Sequence, residues 1–126
     1  MQKEAIDTMT ETKQIPRQQW KDYFDRFTKR YLRDDPPEAA TIAVVSPSLG
    51  GQFEAEGALL HGISYDARSQ ALEVLLENMD HLIFHPKEIW VEEEEDGFLP
   101  SIQIIRDEGT KEILTVRRNA IPAHRR

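Results

Sequence analysis

The feature that most constrains this fold is a stripe of aromatic side chains near the start of the chain. Five aromatic residues follow one another at steps of three, one, three and four: Trp20, Tyr23, Phe24, Phe27 and Tyr31. This spacing puts all five on one face of an α-helix, with charged residues at the other positions. Pro16 suits the first turn of a helix, and Pro36 disfavours helical geometry at the residue before it. The pattern predicts a helix over residues 16–33 whose aromatic face is covered by the rest of the chain.

Beyond residue 38 the pattern changes to short β-like runs separated by turn residues. Turns with glycine at 95–97 and 107–110 predict two consecutive hairpins. No helical segment separates the runs, so antiparallel pairing is expected rather than a parallel sheet. We therefore predict an α+β fold in which the N-terminal amphipathic helix packs on a strongly bent antiparallel sheet of six or seven short strands. A small SH3-like or Sm-like barrel or roll would account for the strong bending of the sheet.

The organisation along the chain is that of one domain with polar ends. A length of 126 residues corresponds to about one domain. Residues 1–13 are polar without a hydrophobic period, and we predict a disordered leader there. Residues 14–117 form the α+β domain, with the helix at 16–33 and the strands at 40–117, and residues 118–126 form a basic flexible tail.

Composition and charge exclude several classes of chemistry. The chain has no cysteine, which rules out disulfides, thiolate metal sites and cysteine nucleophiles. Residues 1–116 carry 12 Lys and Arg against 23 Asp and Glu, a net charge of −11 that disfavours nucleic acid and anionic membranes. No apolar run reaches the roughly 20 residues that span a bilayer, and no secretory signal is evident. We expect a cytoplasmic protein that binds neither nucleic acid nor membrane.

One segment holds the residues most suggestive of a site: Asp80, His81, His85 and Trp90. Two histidines four residues apart would chelate a metal ion if they lay on one helix. In a strand, residues four apart lie roughly 13 Å from each other, so His81 and His85 cannot share an ion. We predict no metal site, no cofactor and no catalytic residue. Asp80, His81, His85 and Trp90 remain as a candidate binding patch.

Strand alternation leaves the roles within this patch open. The two histidines would point to one side of the strand, and Leu82 and Phe84 to the other. The favoured interpretation is a pair of partly exposed histidines at strand ends, and the alternative is a site that His61 joins across strands. In a strand, Trp90 would point to the side opposite its apolar neighbours Ile89 and Val91. It therefore lies either on an outer face, as a binding anchor, or under the helix.

Two motifs of this chain resemble a small bacterial family catalogued as a domain of unknown function. The first is Ile-Pro-x-x-x-Trp-x-x-Tyr-Phe-x-x-Phe at residues 15–27, and the second is Asp-His-Leu-Ile at residues 80–83. Further likeness lies in short segments at 62–66, 72–74, 85–89, 99–102 and 109–114. The resemblance covers most of residues 15–117 and implies a single-domain, cytosolic bacterial protein without a known activity. It supplies no catalytic or binding residues.

Without a catalytic motif, the sequence favours a non-enzymatic interaction or assembly module whose partner is a second copy, in a homodimer, or another protein. The alternative is a small-ligand- or metal-dependent enzyme centred on Asp80, His81 and His85, which needs a pocket that brings these groups within hydrogen-bond reach. A third interpretation, RNA binding by an Sm-like barrel, is disfavoured by the acidic body. The sequence does not indicate which small molecule, if any, the protein binds.

Overall fold

The computed structural model describes residues 10–33, 39–48 and 50–118, which form nine strands and one helical segment. The strands are β1 Thr10–Ile15, β2 Ala39–Ser46, β3 Gly50–Ala58, β4 Leu60–Asp66, β5 Ala71–Leu76, β6 Met79–Phe84, β7 Pro86–Glu94, β8 Ser101–Arg106 and β9 Lys111–Arg117. The helical segment runs continuously through a 3-10 turn Arg17–Gln19, the α-helix α1 Trp20–Phe27 and a π-helical turn Thr28–Leu32. No helix in the described ranges has the length and apolar content that crossing a membrane requires.

The strands form two antiparallel sheets rather than one. The large sheet has the order β1-β7-β8-β9-β2-β3, and the small sheet has the order β4-β5-β6. The chain passes between them at Leu59, after β3, and at His85, before β7. His85 has a φ of 56°, a left-handed conformation that turns the chain sharply. These corners leave separate sheets with free edges, so the barrel version of the prediction is wrong, and nine strands within the described ranges replace the six or seven expected.

The aromatic stripe of the helix is the side that packs on the core. Three of its side chains are buried and two are partly buried: Trp20, Phe24 and Phe27, then Tyr23 and Tyr31. Trp20 meets Tyr65 of β4 edge to face, with ring centroids 5.0 Å apart. Phe27 and Tyr31 pack around Phe98, in the loop between β7 and β8, at centroid distances of 5.8 and 5.5 Å. The helix therefore lies between the small sheet and this loop.

A single hydroxyl fixes the helix to the edge of the small sheet. Thr28 Oγ1 accepts a hydrogen bond from Ile63 N and donates one to Ile63 O, both at 2.9 Å. β4 is an edge strand, so these backbone groups have no partner strand on this side. Buried or half-buried backbone groups are normally paired, and here the threonine replaces the missing strand. The helix thus covers the β4 edge.

The two predicted hairpins are confirmed. β7 and β8 are antiparallel neighbours, and so are β8 and β9. Gly97 and Gly109 in the connecting turns have φ values of 100° and 99°. This left-handed region favours glycine because it has no Cβ.

The ends of the domain differ from the prediction. β1 begins at Thr10 and pairs with β7, so residues 10–13 of the predicted leader belong to the domain. Only the last residue of β1 is fully buried, and pairing with β7 explains a strand that has little hydrophobic pattern. Arg118, the first residue of the predicted basic tail, donates a hydrogen bond to Asp96 at 2.9 Å. The rest of the predicted leader and tail, residues 1–9 and 119–126, lies outside the described residues.

Candidate interaction surface

The four residues of the predicted binding patch do not lie together. Asp80 and His81 are consecutive residues of β6 and point to opposite faces of the small sheet. His85 forms the corner between the sheets, and Trp90 lies on β7 of the large sheet. Across the described ranges, no three His, Cys, Asp or Glu side chains form a group that could hold a metal ion. The predicted patch is therefore divided among three places.

His81 points into the interior between the two sheets. Its Nε2 lies 2.6 Å from Oε1 of Glu112 on β9, whose side chain is only 3% exposed. Arg106 on β8 donates a hydrogen bond from Nη1 to the other oxygen of Glu112 at 3.1 Å. The Nε of Arg106 is buried and lies 3.2 Å from Glu108 Oε2, an ion-pair distance without hydrogen-bond geometry. These polar contacts connect the small sheet with the large one.

Sequence analysis did not single out Glu112, although a signal for it exists. The alternation along β9 puts Glu112 on the same face as Leu114 and Val116, both of which are buried. A carboxylate on a buried face requires a cationic or hydrogen-bonding partner. The sequence does not indicate that this partner is His81, because β6 and β9 belong to different sheets.

His61, His85 and Trp90 do not take part in this network. His61 Nε2 lies 2.6 Å from Glu77 Oε1 at an exposed position and does not join His81. The side chain of His85 is exposed at the corner. Trp90 is half-buried on the outer face of β7, and its Nε1 donates a hydrogen bond to Glu88 Oε1 at 3.0 Å.

Exposed apolar side chains lie on the outer face of the small sheet. Leu75 of β5 is 42% exposed, and Leu82 and Phe84 of β6 are 45% and 46% exposed. In the pairing of β5 with β6, Leu82 lies opposite Glu73 and Leu75 lies opposite Asp80. Leu82 and Phe84 are two residues apart on β6, so Leu75, Leu82 and Phe84 share one face of the sheet. Leu75, Leu82 and Phe84 are called the apolar outer face below. Leu82 and Phe84 were expected on one side of the strand, and in the structure both lie on the outer face.

Among the described strands, four form sheet edges, and three of these edges carry features that hinder association. β1 has the charged residues Glu11 and Lys13. β3 has Glu54 and Glu56, and its register with β2 is irregular. β4 is covered by Thr28. β6 carries a single acid, Asp80, and no Lys, Arg or Pro, and within the described ranges no strand pairs with its free side. Of the described edges, β6 is the one best suited to pairing.

Two carboxylates lie within the apolar outer face. Glu73 of β5 and Asp80 of β6 are diagonal neighbours in the register of these strands. A hydrogen bond with Asp80 raises the pKa of Glu73, partial burial and the charge of Asp80 raise it further, and a hydrogen bond with Ser64 opposes them. This arrangement favours the protonated form of Glu73.

We expect Glu73→Gln to raise the melting temperature at about pH 7 and to have little effect at about pH 4. The folded-state pKa of Glu73 is raised, so the stabilisation belongs to the protonated form. It is fully present below the ordinary glutamate pKa and is lost as the pH rises through the folded-state pKa. Near neutral pH, glutamine removes one of two neighbouring negative charges. Thermal melts across this pH range measure the effect, and Glu54→Gln on β3 controls for the loss of one exposed acid. A difference from wild type that does not change with pH would contradict this assignment.

The fold and this surface define a small α+β domain of two antiparallel sheets, in which no described element covers the edge strand β6. The model of the family described as "Family of unknown function (DUF5335)" matches residues 11–123, and the chain belongs to this family. An uncharacterized protein of Aquifex aeolicus (strain VF5) is 43% identical over 112 residues, which are 88% of this chain and 96% of the relative. No solved structure matches the chain. The resemblance to a bacterial family of unknown function is confirmed.

Proposed function

We propose that this protein is an assembly module that forms a homodimer through β6 of the small sheet. The observation that carries this proposal is an edge strand without Lys, Arg or Pro, which no described element covers and whose outward side chains Leu82 and Phe84 are apolar and exposed. Pairing of this edge with another strand supplies partners for its free N–H and C=O groups. The same pairing covers the apolar outer face.

A second copy of the chain fits this edge because two-fold antiparallel pairing is self-complementary. Directly opposite residues of an antiparallel pair lie on the same face. A two-fold axis at Leu82 sets it against Leu82 of the second copy and sets Asp80 against Phe84 of the second copy. The two Asp80 side chains are then four residues apart, roughly 13 Å. The three-stranded small sheet becomes six-stranded without bringing these carboxylates together.

The alternative, an enzyme centred on Asp80, His81 and His85, lacks comparable support. Such a site needs its groups within hydrogen-bond reach of one another. Asp80 lies on the outer face of the small sheet, whereas His81 is held by Glu112 in the interior at 2.6 Å. A cytoplasmic location and the absence of nucleic-acid and membrane binding stay predictions.

We expect the wild-type chain to be a dimer in native mass spectrometry and sedimentation velocity, and Leu82→Lys to be largely monomeric. The lysine puts two like charges opposite each other at the centre of the pairing and removes two leucines from the interface. Loss of the two leucines costs about 3 kcal/mol, which is about a hundredfold in dimer affinity. Leu82 is exposed, so the circular dichroism spectrum should stay unchanged.

The matched control is Phe53→Lys on β3, which is also an exposed apolar residue of an edge strand, at 62% exposure. It introduces the same charge on a different sheet and should leave the dimer intact. A wild-type chain that is monomeric at tens of micromolar would refute the proposal. Dissociation by Phe53→Lys rather than by Leu82→Lys would place the interface elsewhere and would refute it as well.

A further inference from the structure

We infer that the pocket between the helix and the β7–β8 loop binds a small organic anion with a flat apolar body, such as an aromatic carboxylate. The pocket has a volume of about 210 Å³ and is called the helix–loop pocket below. The lining residues that carry the inference are Tyr23, Arg26, Phe27, Arg30, Tyr31 and Leu99. None of its lining residues belongs to the small sheet, so this site does not depend on the proposed dimer.

Two guanidinium groups, about one helical turn apart, supply the positive charge of this pocket. Arg26 lies over the ring of Tyr23 at 5.9 Å from its centroid, and Arg30 lies over the ring of Tyr31 at 5.3 Å. Within the described ranges, neither arginine has a carboxylate at ion-pairing distance. A guanidinium group binds a carboxylate or a phosphate through two parallel hydrogen bonds. The two arginines are thus available to an anionic ligand.

The acid in the lining, Glu93, does not cancel this charge. Glu93 accepts a hydrogen bond from Tyr23 Oη at 2.9 Å and forms an ion pair with Lys13 Nζ at 2.7 Å. Burial and then the hydrogen bond to Glu93 raise the pKa of Tyr23, so the phenol stays protonated and continues to donate. With Glu93 paired to Lys13, the helix–loop pocket keeps the positive charge of its two arginines.

The apolar side of the pocket is the partly buried ring of Tyr31, which packs on the ring of Phe27 at a centroid distance of 5.5 Å. Phe27 and Leu99, which are 4% and 1% exposed, form the wall behind it. Aromatic side chains at this spacing favour stacked or edge-on contact with a further ring. A volume of about 210 Å³ is below the roughly 300–1,000 Å³ of pockets for drug-sized ligands, which suits a single-ring acid.

The charge distribution of the whole chain favours an anion at this place. Residues 17–33 hold six Lys and Arg against two Asp, whereas residues 39–116 hold four Lys and Arg against 15 Asp and Glu. The helical segment therefore attracts a small anion. On the opposite wall, Glu93 is paired with Lys13, and Glu94 and Asp96 are paired with Arg118. The acidic body that disfavours nucleic acid is compatible with a local anion site of this kind.

Calorimetric titration of the full chain with benzoate, benzamide and acetate tests the inference. We expect benzoate to bind, benzamide to bind at least about tenfold more weakly because it lacks the charge, and acetate to bind more weakly because it lacks the ring. Phenyl phosphate in a fourth titration shows whether the arginines prefer a phosphate to a carboxylate. The double variant Arg26→Gln/Arg30→Gln should lose at least about tenfold in benzoate affinity.

The matched control is Lys29→Gln/Arg33→Gln, which removes two charges from the same helical segment. Lys29 and Arg33 line a different groove, toward β4 and β5, so this variant should retain benzoate binding. All four side chains are exposed, so both variants should fold, and circular dichroism checks this. Equal losses in the two double variants would reveal diffuse attraction and overturn the inference. Benzoate binding no tighter than benzamide, or no binding of any probe at millimolar concentration, would overturn it too.

Discussion

Replacement of Glu112 by alanine should lower the free energy of unfolding by about 3–5 kcal/mol. Glu112 is 2% exposed, and its carboxylate contacts His81 Nε2 at 2.6 Å and Arg106 Nη1 at 3.1 Å. Removing one member of a buried charged network leaves the remaining members desolvated without a partner, which is the main source of the loss. Arg106 keeps some access to water, with its side chain 31% exposed, so the lower end of the range is expected.

Urea denaturation followed by circular dichroism measures this loss, and Glu108→Gln is the matched control. Both glutamates contact Arg106, but the side chain of Glu108 is 50% exposed whereas that of Glu112 is 3% exposed. Exposed ion pairs contribute little, so the Glu108 variant should unfold almost like the wild type. If the two variants lost the same stability, the buried network would not be the link between the sheets that its geometry indicates.

Trp20→Ala should lower the free energy of unfolding by a similar amount, about 3–5 kcal/mol. Trp20 is 1% exposed, packs edge to face on Tyr65 at 5.0 Å, and donates a hydrogen bond from Nε1 to Ile15 O at 2.7 Å. The side chain therefore joins α1 to the small sheet and to the end of β1. Alanine removes the ring from a packed interior and leaves a cavity that the surrounding strands fill only in part.

Two further variants separate the contributions of Trp20. Trp20→Phe keeps a ring but removes the indole N–H, which leaves the Ile15 carbonyl without its partner and should cost about 1–3 kcal/mol. Phe53→Ala truncates an aromatic residue that is 62% exposed and should change stability by less than about 0.5 kcal/mol. Chemical denaturation of the three variants checks the order, and a Trp20→Ala loss as small as that of Phe53→Ala would be inconsistent with a buried Trp20.

Strand alternation predicts part of the candidate surface. Alternation along β6 predicts that Leu82 and Phe84 share one side and that His81 lies on the other. It does not determine which side is buried, because Ile83 accompanies His81 and both sides carry apolar residues. The interior position of His81 depends on Glu112, which lies 31 residues further along the chain. The local sequence pattern cannot predict a partner at that separation.

The local sequence pattern also does not predict which strands lie at the edges of the sheets. The charges of β1 and β3 and the lack of Lys and Arg in β6 are visible in the sequence, but their effect on strand pairing can be judged only once the strand order is known. The same holds for Arg26 and Arg30. Their spacing on the helix can be read from the sequence, whereas the absence of a carboxylate partner among the described residues depends on where β7 and the β7–β8 loop lie.

The helix, its aromatic buried side, the two glycine hairpins and the family can all be predicted from the sequence. Each of these depends on the spacing of neighbouring residues or on the turn preference of glycine, which are properties of a short segment. The folded structure was needed to show that the strands divide into two sheets at Leu59 and His85, that no described element covers β6, and that His81 contacts Glu112. These features depend on contacts between segments far apart in the chain, whose free energy is set by packing and desolvation in the folded state rather than by local conformational preference.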